Sequence, residues 1–157
     1  MDVPQKQIYA RPALCTGCRI CANACSVYHH GVANPRLGAI NIRQNLFERY
    51  EFQELCRHCE NPPCVNACMV GCITKDDKTG LVLHDRKRCV GCWMCVMACP
   101  YGAVKRDVLN KVAIKCDQCR DRDRLVCVEV CPTGALVLDL REDVPQEPFF
   151  TEPTIAD

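Results

Sequence analysis

The stretch CVGCWMCVMACP, from Cys89 to Pro100, decides the fold of this chain. Three of its cysteines recur at every third position, the fourth follows after three further residues, and a proline closes the run. Three sulfurs in so short a loop can converge on one compact group. The fourth cysteine lies where the chain leaves the loop as a helix, so its sulfur points away and can reach a neighbouring group.

The same arrangement recurs along the 157 residues, and four cysteine quartets take up sixteen of the seventeen cysteines. The first quartet has the same spacing as the third, and every quartet closes with two cysteines separated by three residues. In chain order, the quartets are Cys15, Cys18, Cys21 and Cys25; Cys56, Cys59, Cys64 and Cys68; Cys89, Cys92, Cys95 and Cys99; and Cys116, Cys119, Cys127 and Cys131.

This spacing favours iron–sulfur clusters over the other uses of cysteine. The run of the first and third quartets is that of bacterial [4Fe–4S] ferredoxins. Disulfides suit small secreted proteins, but the cysteine count is odd and we find no signal peptide. Structural zinc usually takes two separated cysteine pairs, and only the fourth quartet, taken alone, would suit it. The sequence therefore predicts four [4Fe–4S] clusters, with quartets that exchange their last cysteine in pairs.

Cys72 is the cysteine outside the quartets. It follows the second quartet at the position where Ala103 and Ala135 follow the third and fourth. We favour a small buried apolar residue at this position, and a redox or alternative-ligand role is the open alternative.

Charge and composition exclude several function classes. The formal net charge is +1, but each cluster with its four thiolates adds about −2, so the loaded chain carries about −7. Four cations lie beside ligand cysteines, and we expect most of them to be solvated surface charges: Arg57, Arg88, Lys115 and Arg120. Nothing indicates nucleic-acid binding, and no apolar run approaches the length of a membrane span. We expect a soluble, cytoplasmic protein in an anaerobic or well-reduced setting.

Short strands and short helices are predicted between the quartets. Residues 73–84 read as a β-hairpin with a polar turn closed by Gly80. Further short strands are predicted in 39–42, 50–55, 104–114 and 135–140, and a single short helix is expected after the third cysteine of each quartet. The tail, 141–157, contains three prolines and is expected to be extended, either as a loose terminus or as a docking arm.

The second quartet carries a further signature, Cys-x-His-Cys-x-x-Pro-x-Cys-x-x-x-Cys, over residues 56–68. With the other quartets in this order, the chain resembles the four-cluster electron-transfer subunits of molybdopterin and tungstopterin oxidoreductases over residues 8–140. The resemblance implies an α+β fold of nested ferredoxin-like modules in a domain of residues 1–140. The inner module is 56–104, and the outer module joins 8–55 to 105–140. His58, inside the signature, is expected to position its loop by a hydrogen bond.

The resemblance also implies which cysteines share a cluster, because outer quartets pair with each other and inner quartets do likewise. The hairpin at 73–84 supports the inner pairing independently, whereas the outer pairing depends on the family alone. The implied ligand sets are Cys15, Cys18, Cys21 and Cys131 (site 1); Cys25, Cys116, Cys119 and Cys127 (site 2); Cys56, Cys59, Cys64 and Cys99 (site 3); and Cys68, Cys89, Cys92 and Cys95 (site 4).

The function that the resemblance implies is one-electron transfer with no catalysis on this chain. The implied partners are a large pterin-containing catalytic subunit, a second redox partner such as a flavin subunit, and further copies of the chain stacked into a wire. The chain is similar to the small members of the family, which include the iron–sulfur subunits of tungsten-dependent aldehyde oxidoreductases. The alternatives are a free polyferredoxin shuttle or a subunit of a hydrogenase or carbon monoxide dehydrogenase. A redox sensor or maturation factor would usually show an incomplete site or an extra domain.

Overall fold

The computed structural model describes residues 6–140 except positions 46 and 49, so the predicted tail, 141–157, lies outside the described residues. The strands are β1 Lys6–Ala10, β2 Asn41–Asn45, β3 Tyr50–Glu54, β4 Ile73–Lys75, β5 Val82–His84, β6 Lys105–Asp107, β7 Val112–Ile114 and β8 Leu136–Leu140. The helices are α1 Ile20–His30, α2 Pro63–Asn66, α3 Met94–Ala98 and α4 Val126–Glu129, with a 3₁₀ turn at Pro12–Leu14.

Three of the strand pairs are hairpins. The sequence predicted the β4–β5 hairpin and strands in the regions of the other two, although β2 lies at Asn41–Asn45 and not at 39–42. Strands β2–β3, β4–β5 and β6–β7 each pair in antiparallel fashion. The β4–β5 turn is closed by Asp76, whose carboxylate accepts a hydrogen bond from the Thr79 hydroxyl at 2.6 Å. Gly80 follows with φ +69°, in the left-handed region that favours glycine. Short apolar strands around a polar turn were therefore a correct signal for the β4–β5 hairpin.

The fourth strand pair joins the two ends of the described chain. Strand β1 pairs with β8 in antiparallel register, with Ile8 opposite Leu138. Strand β8 was predicted, whereas β1 was not. This pairing brings residues from both ends against one hydrophobic core.

Each of the four described helices contains the third cysteine of its quartet as its second residue, so the helices begin two residues earlier than predicted. In an α-helix the Cα–Cβ bond tilts toward the N-terminus, so a cysteine in the first turn directs its sulfur back to the preceding loop. Arg19 and Trp93 precede α1 and α3 with left-handed φ values of 59° and 62°. The first and third quartets therefore fold into the same loop.

The described residues form two hydrophobic clusters, and cysteines belong to both. The first combines β1, α1 and the segment before β2 with Leu55, Ile114, α4 and β8; it includes buried Cys21, Cys25, Cys119 and Cys127. The second combines the inner hairpin with α2, α3, Val104 and Ala113; it includes buried Cys64, Cys72 and Cys95. Short strands, hairpins and short helices around these cores form a ferredoxin-like α+β fold.

Candidate iron–sulfur sites

Site 1 gathers its sulfurs from the two ends of the described chain. Burial raises the pKa of the Cys21 thiol to about 11, and repulsion from Cys18, Cys131 and Cys15 raises this pKa further. Cys131 follows helix α4, and the other three cysteines precede or begin α1. Cys18 is exposed to solvent, whereas Cys15 and Cys131 are half-buried.

Site 2 surrounds a cavity in the first hydrophobic cluster. Its four predicted ligands, Cys25, Cys116, Cys119 and Cys127, line this cavity together with apolar residues such as Ile8, Ile40 and Leu125. Burial raises the pKa of Cys127 to about 12, and repulsion from Cys25, Cys119 and Cys21 adds to the effect. Because Cys21 is a site 1 residue, sites 1 and 2 are neighbours.

Site 3 surrounds a second cavity. The four predicted ligands, Cys56, Cys59, Cys64 and Cys99, line it with Val82, Val104 and Tyr101. Burial raises the pKa of Cys64, Lys115 opposes this rise, and the thiols of Cys56, Cys99 and Cys59 add to it.

Site 4 lies at the other end of the series and is open to solvent at Cys92. Burial raises the pKa of the Cys95 thiol to about 11, and Cys89 and Cys92 raise this pKa next. Cys64 of site 3 and then Cys68 contribute after them. The structure places the four predicted ligands of site 2 around one cavity and those of site 3 around another. At sites 1 and 4, the buried thiols of Cys21 and Cys95 lie close enough to the other thiols of their sets for the charges to raise their pKa.

These raised pKa values fit a site that holds a strongly positive group. Buried thiols packed together keep their protons at neutral pH, whereas metal ligation needs thiolates, which the charge of the metal stabilises. Four converging sulfurs per site suit the four iron corners of a [4Fe–4S] cluster. Four cysteine thiolates also bind structural zinc, so these ligands by themselves fit either a zinc ion or a [4Fe–4S] cluster.

Backbone amides and one side chain donate hydrogen bonds to the cysteine sulfurs. The Ala39 N–H donates to Cys25 Sγ at 3.3 Å, and the Gln118 N–H donates to Cys116 Sγ at 3.4 Å. Lys115 Nζ donates to Cys56 Sγ at 3.2 Å. Hydrogen bonds to sulfur are one of the means by which a protein sets the reduction potential of a cluster.

Lys115 lies at the junction between sites 2 and 3. Besides Cys56 Sγ, its ammonium group donates to the carbonyl oxygens of Val82 at 2.6 Å and Cys116 at 3.2 Å. Cys56 belongs to site 3 and Cys116 to site 2. Of the four cations beside ligand cysteines, Arg57, Arg88 and Arg120 are exposed as expected, whereas Lys115 is half-buried. No local feature of the sequence distinguishes Lys115 from the other three.

His58 has the structural role that its position in the second quartet predicted. Its ring is 1% exposed, and its Nδ1 accepts a hydrogen bond from the Val82 N–H at 3.0 Å. Burial, followed by the charge of Lys115, lowers the pKa of His58 to about 3. A neutral imidazole therefore ties the second quartet to strand β5.

His29 lies beside the site 2 ligand Cys119, a contact that the sequence did not predict. Its Nε2 lies 4.0 Å from Cys119 Sγ and 3.5 Å from an Asp117 carboxylate oxygen. Helix α1 carries His29 to site 2, so a residue from the first quartet's helix lies beside a fourth-quartet ligand. No local signal marks this contact, because it depends on how α1 packs.

Comparison with known proteins identifies the metal. The sequence pattern of the 4Fe-4S dicluster domain family matches residues 47–141, and that of a 4Fe-4S binding domain matches residues 12–28. The first match covers more than half of the chain. The chain belongs to the 4Fe-4S dicluster domain family, and its cysteines bind [4Fe–4S] clusters.

Two curated relatives align with most of the chain. It is 37% identical over 143 residues to the uncharacterized ferredoxin-like protein YdhX of Escherichia coli (strain K12), covering 84% of this chain and 63% of that protein. It is also 37% identical over 125 residues to the polyferredoxin-like subunit of an aliphatic sulfonate oxidoreductase of Pyrococcus furiosus, covering 79% of this chain and 70% of the relative. The chain thus spans less than two thirds of the length of the first relative.

A solved structure with the same fold is the active site complex BamBC of benzoyl coenzyme A reductase. One of its chains matches with a TM-score of 0.53 at 21% identity, covering 87% of this chain and 80% of that chain. At this identity the likeness shows the fold alone. No helix within the described ranges is long and apolar enough to cross a membrane.

Proposed function

We propose that this chain is a non-catalytic electron-transfer subunit that holds four [4Fe–4S] clusters, one at each of sites 1 to 4. The observation that supports the proposal is that the four cysteines proposed for site 2 line one cavity and the four proposed for site 3 line another. Such clusters supply one-electron chemistry when bound. The name of the Pyrococcus furiosus relative, a polyferredoxin-like subunit of an oxidoreductase, supports the same role.

Contacts between cysteines of different sites support a sequence of neighbours in which site 1 adjoins site 2, site 2 adjoins site 3, and site 3 adjoins site 4. Cys21 of site 1 acts on the pKa of Cys127 at site 2, and Cys56 of site 3 acts on the pKa of Cys116 at site 2. The pKa of Cys95 at site 4 responds to Cys64 of site 3. Sites 1 and 2 therefore belong to the proposed outer module, 8–55 with 105–140, and sites 3 and 4 to the inner module, 56–104.

The two ends of this arrangement are the surfaces at which we place electron entry and exit. Cys18 at site 1 and Cys92 at site 4 are exposed. Exposed apolar side chains flank both: Leu14 and Ile20 beside site 1, and Val90, Met94 and Met97 beside site 4. Met97 is 80% exposed and adds to the exposed apolar side chains that lie next to Cys92 in the sequence.

The proposed partners are a large catalytic subunit, with a tungsto- or molybdopterin centre, and a second redox protein such as a flavin subunit. Stacked copies of this chain would also cover the exposed apolar side chains beside sites 1 and 4. We place the complex in the cytoplasm under anaerobic or well-reduced conditions. A free polyferredoxin shuttle and a subunit of a hydrogenase or carbon monoxide dehydrogenase are the alternatives.

Native mass spectrometry of protein purified without oxygen from its own host tests this proposal. We expect about sixteen iron and sixteen sulfide ions per chain, together with a large pterin-containing subunit. A fully loaded but solitary chain would instead favour the free shuttle. A hydrogenase or carbon monoxide dehydrogenase subunit in the complex would replace the pterin partner. Fewer clusters would contradict the four-site assignment.

A pair of matched variants tests the site 4 surface. Met94→Glu with Met97→Glu places charge beside Cys92, and Val108→Glu with Leu109→Glu places equal charge on the exposed β6–β7 turn. We expect the first pair to weaken binding of one partner at least tenfold and the second pair to leave it unchanged. Equal binding by both pairs would remove site 4 as a docking end.

A further inference from the structure

Cys72 is the cysteine that the four proposed sites do not use, yet it lies against one of them. Its Sγ is 3.3 Å from the Sγ of Cys68, and its own N–H donates to Cys68 Sγ at 3.3 Å. The residue is 4% exposed, as expected for a small buried side chain. The contact with Cys68 goes beyond that expectation.

Two further donor groups surround the Cys72 thiol. Cys72 Sγ, a His84 ring nitrogen and Cys89 Sγ lie within 4.8 Å of one another. Cys89 and Cys68 are both ligands of the proposed site 4, so Cys72 is next to two ligands of one site. His84 Nε2 is buried and has no hydrogen-bond partner among the described residues. The β4–β5 hairpin thus adds a thiol and an imidazole at the edge of site 4.

Packing does not require a thiol at this position. Cys72 follows Gly71, which has φ +60°, and the equivalent glycines of the third and fourth quartets, Gly102 and Gly134, have φ +61° and +65°. These glycines precede Ala103 and Ala135, each 2% exposed. The same turn therefore forms after two other quartets with alanine at this position, so its packing does not depend on the sulfur of Cys72.

We propose that Cys72 is a reserve ligand for the cluster at site 4. When Cys68 is detached or absent, the Cys72 thiolate binds the iron that Cys68 leaves and keeps the cubane intact. This inference rests on the proposed function, because it takes site 4 to hold a cluster.

The exchange is balanced in atoms, charge and electrons. With a cluster at site 4, an iron–sulfur bond to Cys72 would replace the one to Cys68, and the proton of the Cys72 thiol would pass to the departing Cys68 thiolate. In a chain without Cys68, that proton would pass to solvent. No electron is gained or lost. The 3.3 Å contact between the two sulfurs provides the path for the proton. Cys68 lies on an exposed turn with Met69, which is 87% exposed, so Cys68 is a ligand more open to displacement than buried Cys64 or Cys95.

Single alanine substitutions of equivalent ligands provide the test, because the third quartet has the same turn without the extra cysteine. The variants are Cys68→Ala, Cys99→Ala, Cys72→Ala and the double variant Cys68→Ala with Cys72→Ala. The readouts are the iron content of the full chain, purified without oxygen, and its electron paramagnetic resonance spectrum after reduction.

We expect the Cys72→Ala variant to keep all four cubanes, and Cys68→Ala to keep four with an altered spectrum for one of them. Cys99→Ala and the double variant should each lose one intact cubane, about a quarter of the total. Loss of one cubane in Cys68→Ala, as in Cys99→Ala, would overturn the proposal. A wild-type chain without a cluster at site 4 would overturn the proposed function and this inference together.

A variant that gains a cysteine provides a control, because it separates loss of a ligand from loss of a cluster through misfolding. Adding Ala103→Cys to Cys99→Ala places a thiol at the position equivalent to Cys72. We expect this addition to restore the cubane at site 3. If Cys99→Ala stays soluble with three clusters and Ala103→Cys does not restore the fourth, a cysteine at this position of the turn is not able to act as a ligand, which contradicts the proposal.

Discussion

Lys115 has the most direct electrostatic role of the single residues outside the cysteines. Its ammonium group contacts a site 3 sulfur and the backbone of a site 2 ligand, in a half-buried position where solvent screens charge less. Adding an electron makes a cluster more negative, so a nearby cation stabilises the reduced form and raises the reduction potential.

We expect Lys115→Met to lower the reduction potential of the cluster at site 3, and to a smaller extent that at site 2. Loss of about 1 kcal/mol of differential stabilisation corresponds to several tens of millivolts for a one-electron couple. Redox titration followed by electron paramagnetic resonance measures the shift. Lys78→Met, on the exposed β4–β5 turn, is the matched control, and equal potentials in both variants would contradict this role.

His58→Ala should destabilise the loaded protein by about 3 kcal/mol. The change removes the acceptor of the buried Val82 N–H and leaves a cavity. The midpoint of denaturant unfolding, followed by the visible absorbance of the clusters, measures this loss. His58→Asn keeps an acceptor and should recover part of the stability, and a midpoint like that of wild type for His58→Ala would show that the hydrogen bond contributes nothing.

The lowered pKa of His58, about 3, predicts a pH dependence of stability. In the unfolded chain this histidine takes up a proton near its ordinary pKa of about 6.5, whereas in the folded chain it stays neutral. The contribution of His58 is therefore complete above about pH 6.5 and is lost as pH falls toward 3, by up to about 1.4 kcal/mol per pH unit. Unfolding at several pH values should show this slope in wild type and not in His58→Asn.

The candidate ligands could be recognised at this scale, and their partition into four sets stays a prediction, whereas the position of Lys115 could not be foreseen. Cysteine spacing is local, and the sixteen ligands stood out in the sequence; their partition into sets came from a family resemblance. In the sequence, Lys115 is a cation beside a ligand cysteine, as Arg57 and Arg88 are. What distinguishes it is the approach of Cys56 to Cys116, which depends on tertiary packing.

Among the elements, the β1–β8 pair closes the first hydrophobic cluster. Ile8 is 4% exposed and lines the site 2 cavity. The pair therefore connects backbone pairing at the ends of the chain with the environment of the cysteines.

We expect Ile8→Ala to cost about 2 to 4 kcal/mol and to release iron first from sites 1 and 2. Val82→Ala, in the inner hairpin, removes a side chain that is 1% exposed and should reverse the order of loss. Spectra recorded during chelation identify which clusters are lost first. The same order of loss in both variants would mean that the two hydrophobic clusters do not unfold separately.

The hairpins were predictable because each one is contiguous in sequence, with apolar alternation on both sides of a turn. Strand β1 was missed because its five residues show only a short pattern and its partner lies at the other end of the described chain. The predicted helix starts lay two residues too late. The third cysteine must lie inside the first turn for its sulfur to face the loop.

At the scale of the whole molecule, cysteines replace much of an ordinary core. Eight of them are among the buried apolar residues of the described chain: Cys21, Cys25, Cys56, Cys64, Cys72, Cys95, Cys119 and Cys127. Without a metal, these positions bring thiols together with little apolar area to bury. The clusters therefore contribute folding free energy, as structural metals do.

The chain stripped of its clusters by a chelator should be largely unfolded. Far-UV circular dichroism of anaerobically stripped protein, compared with the loaded form, measures this change. The comparison should be repeated after cluster reconstitution, which we expect to restore the spectrum. A native-like spectrum for the stripped chain would show that the short strands and helices hold together without iron.

The pairing of β1 with β8 also bears on how longer proteins of this family are assembled. Lys6 lies opposite Leu140, and the Gln118 side-chain amide donates to the Lys6 carbonyl oxygen at 3.0 Å. The two ends of the described fold therefore lie side by side near site 2. A domain fused before residue 6 and another fused after residue 140 start from the same edge, so evolution or an engineer can append either one, or join the ends into a circular permutant, without disturbing the exposed cysteines of sites 1 and 4.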